Sequence, residues 1–541
     1  MPVTPTYPGL YIQEVPFNTH TVTAAPTSIA AFIGYVNPWF TDPTLFNVAV
    51  PISSFSDYEA QFGGLFTSGL VDPSLPRAVF QFFANGGSSA YVVGLQPIYR
   101  TGAGGAIIAM TDDSVAFAVN IMASDGKSGL RFTAKQFVDQ VPMGLIISNL
   151  RSATGSSVFN IFDVSITYGA TIETYRGVAL GVAAAATPNN APDTLINKRS
   201  SLVHVAPIAG SFGTDLLPAA AGSSIFACPL LPPQQPPSGK LANFGTTFLA
   251  NEFIQAMQAN GSLDQVEIFN LLLVPGVADN SVQSAALAFA EHKLAFAVLD
   301  PPQAATLTGT PSGIDSFATS MPRSQNGAIY FPWLFSIDPV SAQTVAVAPS
   351  GFVAGIYAKT DVSRGVWKAP AGLATAILNT SGPVANCTVT DAQAGELNGT
   401  QSVNCLRQFA SIGTVVFGAR TLVGNNTAYL QSRYVPVRRM TLFLEQTLLA
   451  NLRWVVFEPN DEPLWTAIRL SIESFMLGLW TQGALQGSTP SAAFQVKCDS
   501  STTTTDDQLQ GIVNIVVAFA PLRPAEFVII NIAQLAGQPS S

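Results

Sequence analysis

Short apolar runs alternate with amphipathic stretches along much of this chain, and that alternation sets the first expectations. Ile29–Tyr35 is a nearly continuous apolar run and reads as a buried strand. Leu75, Val79, Phe82 and Phe83 fall on one helical face, and Asn85-Gly86-Gly87 ends that helix. Ala90-Tyr91-Val92-Val93 reads as the next strand. A strand, a helix and a second strand in this order predict a parallel sheet.

The rhythm breaks between Gln96 and Asn197. Runs such as Ala116–Ile121, Leu145–Ser148 and Val158–Tyr168 are separated by Gly, Ser, Asn and Asp. Strands at that spacing, with turn residues between them, predict a small all-β domain inserted into the α/β one. The Ala-rich stretch Val178–Ala186 returns the chain, and Leu202–Val205 reads as a further strand. Pro229–Pro237 reads as a polyproline-like surface loop. Downstream, Phe248, Leu249, Phe253, Ile254 and Met257 form a helical stripe, and Ile268–Val274 is an apolar strand of the kind buried on both faces. Asp279-Asn280-Ser281 caps a helix running through Ala285 and Phe289. Leu294–Leu299 is the next strand, stopped by Asp300-Pro301-Pro302.

A third block starts near Lys359. Met440, Phe443, Leu444, Thr447 and Leu448 define one helix; a second begins at Asn460-Asp461-Glu462-Pro463, with Leu464, Ile468, Ile472, Phe475 and Leu479 on its apolar face. Phe494–Cys498 and Gly511–Phe519 read as paired strands around the polar turn Ser500–Asp507. The chain carries an apolar extended stretch at each end. Near the start, Leu10, Tyr11, Ile12, Gln13, Glu14 and Val15 sit among prolines that argue against a helix; near the end stand Glu526, Phe527, Val528, Ile529, Ile530, Asn531 and Ile532. Such segments need a sheet edge, their own or a neighbour's.

Composition sharpens this picture. The chain has 541 residues, enough for three or four domains at roughly 150 residues each. Only 11% of them are charged, against an ordinary share of about 25%. A lone soluble monomer needs charge on its surface, so the deficit fits a subunit largely covered by neighbours. Net charge is −9, which argues against a nucleic-acid partner. The first basic residue is Arg77, so no secretory leader is expected. The charge-free stretches Leu216–Gly239 and Pro339–Ala358 are broken by prolines and polar residues, so no direct membrane insertion is expected.

Chemistry is sparse. Cys228, Cys387, Cys405 and Cys498 form no CxxC pair; Cys387 and Cys405 could meet across a hairpin, but buried free thiols fit better. The histidines are His20, His204 and His292, and no HExxH, GxSxG or Walker pattern appears. Gly102-Ala103-Gly104-Gly105 and Ser238-Gly239-Lys240 read as turns. Asp361 near Arg364, and Glu458 with Asp461 and Glu462, read as ion pairs or helix caps before acid–base groups. The chain is expected not to be an enzyme and to hold no metal or cofactor. One asymmetry stands out: Arg407, Arg420, Arg433, Arg438, Arg439 and Arg453 face only Glu445 across that stretch. They form either a basic face for a neighbouring subunit or another protein, with Arg433, Arg438, Arg439 and Arg453 as contacts, or internal pairs with Glu458, Asp461 and Glu462.

Several motifs, taken together, resemble one family. They are Pro8-Gly9-Leu10-Tyr11-Ile12-Gln13-Glu14, then Phe82-Phe83-Ala84-Asn85-Gly86-Gly87 with Ala90-Tyr91-Val92-Val93, and Leu299-Asp300-Pro301-Pro302. Further on come Gly355-Ile356-Tyr357-Ala358-Lys359-Thr360-Asp361, Arg364-Gly365-Val366-Trp367-Lys368-Ala369-Pro370-Ala371 and Gly418-Ala419-Arg420-Thr421-Leu422. Val437-Arg438-Arg439-Met440, Phe457-Glu458-Pro459-Asn460 and Ala520-Pro521-Leu522-Arg523-Pro524-Ala525-Glu526-Phe527 complete the series. In this order they resemble the contractile tail sheath proteins of bacteriophages and related injection systems.

The resemblance implies a multidomain α/β fold: a subtilisin-like α/β core without protease residues, an inserted β-sandwich, a C-terminal α/β domain and extended arms. On that reading residues 1–22 are the N-terminal arm, 23–96 the first part of the core and 97–197 the inserted domain. Residues 198–358 complete the core, 359–520 form the C-terminal sheath domain, and 521–541 are the C-terminal arm. It implies hexameric rings stacked helically around an inner tube, with baseplate and tail terminator proteins as further partners. It also implies assembly in the bacterial cytoplasm into a virion tail or an injection particle. A non-contractile tube or shell, or a hydrolase on the core, is the alternative.

Overall fold

The computed structural model describes residues 21–530 apart from 70, 101–106, 110–115, 124–125, 152–159, 210, 213–220, 228–248, 308–312, 386 and 425–426. The N-terminal stretch Leu10–Val15, the proline-rich loop, Cys228, His20, Asn531 and Ile532 lie outside the described residues. The chain falls into two compact units, one spanning Pro26–Arg438 and the other joining the described residues up to Ala25 with those from Arg439 onward.

The larger unit is built on one sheet. Its strands are β1 (Ala30–Tyr35), β2 (Ala49–Ile52), β3 (Ala90–Leu95), β4 (Leu271–Leu273), β5 (Phe296–Leu299), β6 (Gly327–Phe331), β7 (Val403–Phe409) and β8 (Gly413–Phe417). They lie in the order β2-β3-β1-β4-β5-β6-β7-β8. From β3 to β7 the neighbours run parallel, and β2 and β8 pair antiparallel at the two edges. Every residue of β1, β4, β5 and β6 is buried, as a parallel sheet covered on both faces requires.

Helix α1 (Ser74–Ala84) follows β2 in the chain and leads into β3, which pairs parallel with β1; its Leu75, Val79 and Phe82 are buried. The periodicity legible in the sequence is therefore the one the chain uses. Helix α2 (Asn280–His292) starts where the Asp279 side chain accepts from the Ser281 and Val282 amides. Helix α3 (Pro349–Arg364) lies against α1 closely enough that only glycine fits at two of its positions. A Cβ on Gly351 would stand 2.5 Å from the Ala78 carbonyl oxygen, and one on Gly355 2.7 Å from that of Phe82.

Two boundaries differ from the sequence reading. The inserted stretch does hold antiparallel strands: Ala118–Met122, Gly129–Ala134, Met143–Arg151, Ile161–Tyr168 and Thr171–Ala179. The pairing runs past Asn197, however, because Val203–Pro207 pairs with Gly129–Ala134 and Gly222–Ile225 with Met143–Arg151. The resulting three-stranded and four-stranded sheets share one apolar cluster, with Phe132 and Val205 from one and Leu145 and Val164 from the other. Gly222–Ile225 is short and half polar, so periodicity alone could not place it. The second difference concerns Lys359, which lies inside α3 rather than at the start of a new block. The chain also stays with the sheet through β7 and β8, whose Asn404, Arg407, Gln408 and Thr414 dilute the apolar signal. Cys387, Cys405 and Cys498 are free and buried.

Asp300, just past the end of β5, ties three elements together. Its buried carboxylate accepts from the Ser350 amide at 2.8 Å and hydroxyl at 2.6 Å, in the first turn of α3, and from the Gly276 amide at 2.9 Å. Burial pushes its carboxyl up to about 6, against the downward pull of those hydrogen bonds, and the negative charge of Asp72 adds a smaller push. Asp72 is itself raised to about 6, again by burial, and accepts from the Ser74 amide and hydroxyl. Through the window from about pH 4 to about pH 6 the folded chain holds protons that the unfolded chain has released, so stability falls as pH rises and levels off above it. Asp300→Asn should flatten part of that fall in urea titrations across the window. A slope unchanged by the substitution would place the effect elsewhere.

Candidate assembly interface

The smaller unit carries helix α4 (Val435–Asn451), which crosses the boundary between the units, and helix α5 (Glu462–Thr481). Asp461 caps α5 by accepting from the Leu464 amide, and Pro463 sits in its first turn, as the sequence indicated. Leu464, Ile468, Ile472 and Leu479 are buried on its inner face, while Phe475 is half-buried. Asn460 locks the loop before α5 to the turn beyond. Its side chain donates to the Ile512 carbonyl at 3.0 Å and accepts from the Trp465 indole at 2.9 Å.

Beyond α5, β9 (Phe494–Lys497) pairs antiparallel with β10 (Val516–Phe519). The hairpin read from the sequence is present, with its second strand shorter than Gly511–Phe519. Among the described residues this sheet has two strands, so each presents one edge of unpaired backbone groups. Only Val496 of its eight residues is buried, and Val516 is 50% exposed. A two-stranded sheet is marginal by itself in water, and an open edge is a template for another strand.

Both chain ends issue from this unit. Near the N-terminus, Asn451 at the end of α4 brackets Thr23 as a strand neighbour would. It accepts from the Thr23 amide at 2.9 Å and donates to the Thr23 carbonyl at 2.8 Å, and Thr447 accepts from the Ala25 amide at 3.1 Å. Near the C-terminus, Ala520 is fixed by bonds to Ala493 and Gln486. Phe527, Val528, Ile529 and Ile530 then stand 78–83% exposed, in neither helix nor strand. Burying four such side chains contributes about 6–12 kcal/mol gross. Ordering four residues costs about 4–8 kcal/mol of backbone entropy.

The arginine cluster divides. Arg438 and Arg439 are 9% and 3% exposed, within a turn, Val435–Met440, that is buried throughout. The Arg438 Nε donates to the Asn326 Oδ1 at 3.0 Å. These two are interior groups and cannot contribute to the exposed basic face that the sequence pattern left open. Arg433 is half-buried and Arg453 exposed. Arg420 is buried and donates to the Asn398 and Gly399 carbonyls; Arg407 pairs with Asp391 at 2.6 Å, its guanidinium 5.3 and 5.2 Å from the Phe409 and Phe417 ring centres.

Of the candidate chemical groups, Asp461 is a cap, Glu462 pairs with Arg469 at 2.8 Å, and His292 with Asp264 at 3.3 Å. His204 is exposed on its strand. Phe457, noted in the sequence only as part of a motif, is fully exposed with φ near +73°, a conformation that costs a bulky residue roughly 1–3 kcal/mol. A loop aromatic has no periodicity to betray it. Among the described residues no His, Cys, Asp and Glu group of three or more could hold a metal, and no helix is long and apolar enough to cross a membrane.

Residues 430–534, the span holding α5, the hairpin and the exposed tail, match the family model of the phage tail sheath C-terminal domain. No curated protein sequence matches the chain. Solved structures match it along nearly its whole length. One is a chain of the anti-feeding prophage helical sheath in its contracted state, at 22% identity and TM-score 0.54, covering 98% of this chain and 100% of that one. Another is from the contracted sheath complex of PVC, an extracellular contractile injection system, at 21% identity and TM-score 0.54, covering 98% of each chain. A third is the sheath tail protein of Desulfitobacterium hafniense, at 12% identity and TM-score 0.55, covering 95% and 100%. At these identities the likeness is one of fold, a mixed α/β sheath fold of several sheets.

Burial makes the arginine assignment testable. Arg438→Glu places a carboxylate in an enclosed site and should lower unfolding free energy by about 3 kcal/mol or more. Arg453→Glu, at the surface, should change it by less than about 1 kcal/mol. Urea denaturation of the two variants checks both.

Proposed function

We propose that the chain is a structural subunit of a contractile sheath, which polymerises around an inner tube and contracts to drive that tube through a target envelope. One observation carries the reading: a sheath C-terminal domain whose two-stranded sheet has open edges and is followed within a dozen residues by an exposed apolar tail. Only 11% charged residues, in a chain of this size, supports a surface meant to be covered.

On this proposal the N-terminal arm, Leu10–Val15, and the C-terminal arm, Glu526–Ile532, each add a strand to the β9–β10 sheet of a neighbouring copy by β-augmentation. The contact is heterologous, so it propagates as an open helix of stacked hexameric rings. The eight-stranded sheet serves as a subtilisin-like core, and the two smaller sheets as an inserted β-sandwich. Arg453 is the arginine of the original four left exposed to meet an acidic tube or neighbour. Baseplate and terminator proteins close the two ends, and assembly takes place in the bacterial cytoplasm.

The extended sheath is then a kinetically trapped state, and firing consumes no nucleotide. Contraction repacks globular surfaces into larger buried interfaces while the strand exchanges persist. A gain of about 1–2 kcal/mol per subunit, the worth of one or two buried methylenes, sums to a large mechanical output over a long tube.

Deleting Met1–Thr19, or Glu526–Ser541, should leave folded monomers that form no long sheaths, because the removed segments carry little of the described fold. Circular dichroism checks the first half and negative-stain microscopy the second. Normal-length polymers from either truncation would defeat the strand-exchange reading. Full-length material that gives tubes of one fixed length and diameter would favour a static tube over a contractile one.

A further inference from the structure

Helix α3 and the loop after it enclose a small cavity that neither the fold nor the proposed strand exchange uses. Its volume is about 70 Å³, and Lys359, Arg364 and Lys368 line it together with the hydroxyl-bearing Thr360, Ser363 and Thr375. No carboxylate lines it, and none of the three cations has an acidic partner within ion-pair distance among the described residues. This is unusual in a chain with 33 acidic residues and 24 basic ones.

The cations are also short of other compensation. Lys359 and Arg364 are exposed, while Lys368 is half-buried and its Nζ donates to a single carbonyl, that of its neighbour Ala369, at 2.8 Å. Burial and the like charge of Arg364 push the Lys368 ammonium below its ordinary range. The Thr360, Ser363 and Thr375 hydroxyls spend their protons on backbone carbonyls, so binding of an incoming anion falls to the three cations. The carbonyl end of α3 opposes an anion, but it carries only about half a charge against three full ones. The volume suits one carboxylate group.

We propose that this cavity receives an acidic side chain from a second copy of the chain, forming a charge-assisted contact between subunits. The inference rests on the reading of the chain as a polymerising subunit. The nine-charge acidic surplus of each copy is what makes a second copy the source.

The test uses the full-length chain carrying Lys359→Gln, Arg364→Gln and Lys368→Gln together. The expected result is a rise of about tenfold or more in the concentration needed for polymerisation, and a weaker dependence of polymerisation on salt, with the monomer's circular dichroism unchanged. If the triple variant misfolds, Lys359→Gln alone, at an exposed position, should show the same trend at smaller amplitude. An unchanged polymerisation threshold and salt dependence would overturn the proposal. So would inorganic phosphate that binds the wild-type monomer and not the variant while polymerisation stays the same, since the pocket would then serve a free anion. Wild-type protein that never polymerises would instead defeat the sheath reading, and this contact with it.

Discussion

Two strands with both edges open leave backbone amides and carbonyls that water satisfies only at the cost of leaving the hairpin marginal. In the β9–β10 sheet that condition coincides with a set of side chains that are exposed or half-buried, Val496 alone being buried. Further strands are the one addition that satisfies the edges and covers the faces together. The tail beyond Ala520 has the complementary defect: Phe527 to Ile530 are apolar, exposed and without ladder partners in the described residues. The strand exchange we propose between copies meets both defects at once.

The larger unit answers a different demand. On the function proposed above, a propagating contact would transmit force only through a stiff body. The central parallel strands β1, β4, β5 and β6 are buried along their whole length, and α3 is pressed onto α1 at Gly351 and Gly355 with no room for a methyl group. Asp300 binds the end of β5 to the start of α3 through Ser350, and to the β4 side through Gly276. A buried carboxylate is a poor source of stability, since desolvation offsets much of what its hydrogen bonds contribute. Its value lies in fixing one arrangement of three elements.

What could be read from the sequence divides along physical lines. The β1–α1–β3 start, the Asp279 and Asp461 caps and the β9–β10 hairpin were legible because each rests on local chemistry: periodicity, a capping side chain, a polar turn between apolar runs. The edges of the inserted domain were not, since Gly222–Ile225 finds its partner about 75 residues earlier in the chain and has little apolar character of its own. Assigning β8 to the main sheet failed for a related reason, because an edge strand tolerates polar residues. The arginines mark the limit most clearly. Their segregation was visible as charge, but charge in sequence carries no information on depth, and Arg438 and Arg439 proved to be interior groups.

The same reasoning separates two functions within a single motif. In the stretch from Gly355 to Asp361, Gly355, Ile356, Tyr357, Thr360 and Asp361 are buried, and they set how α3 packs. Lys359, Val362 and Arg364 face outward from the same helix, Val362 at 81% exposure. Substituting an inward residue changes the helix's position and every contact it makes; substituting an outward one changes only what a partner meets. A charged residue that neither packs nor pairs inside its own chain contributes little to stability. Lys359 and Arg364 are of that kind, and with the half-buried Lys368 they line one cavity that no carboxylate enters among the described residues.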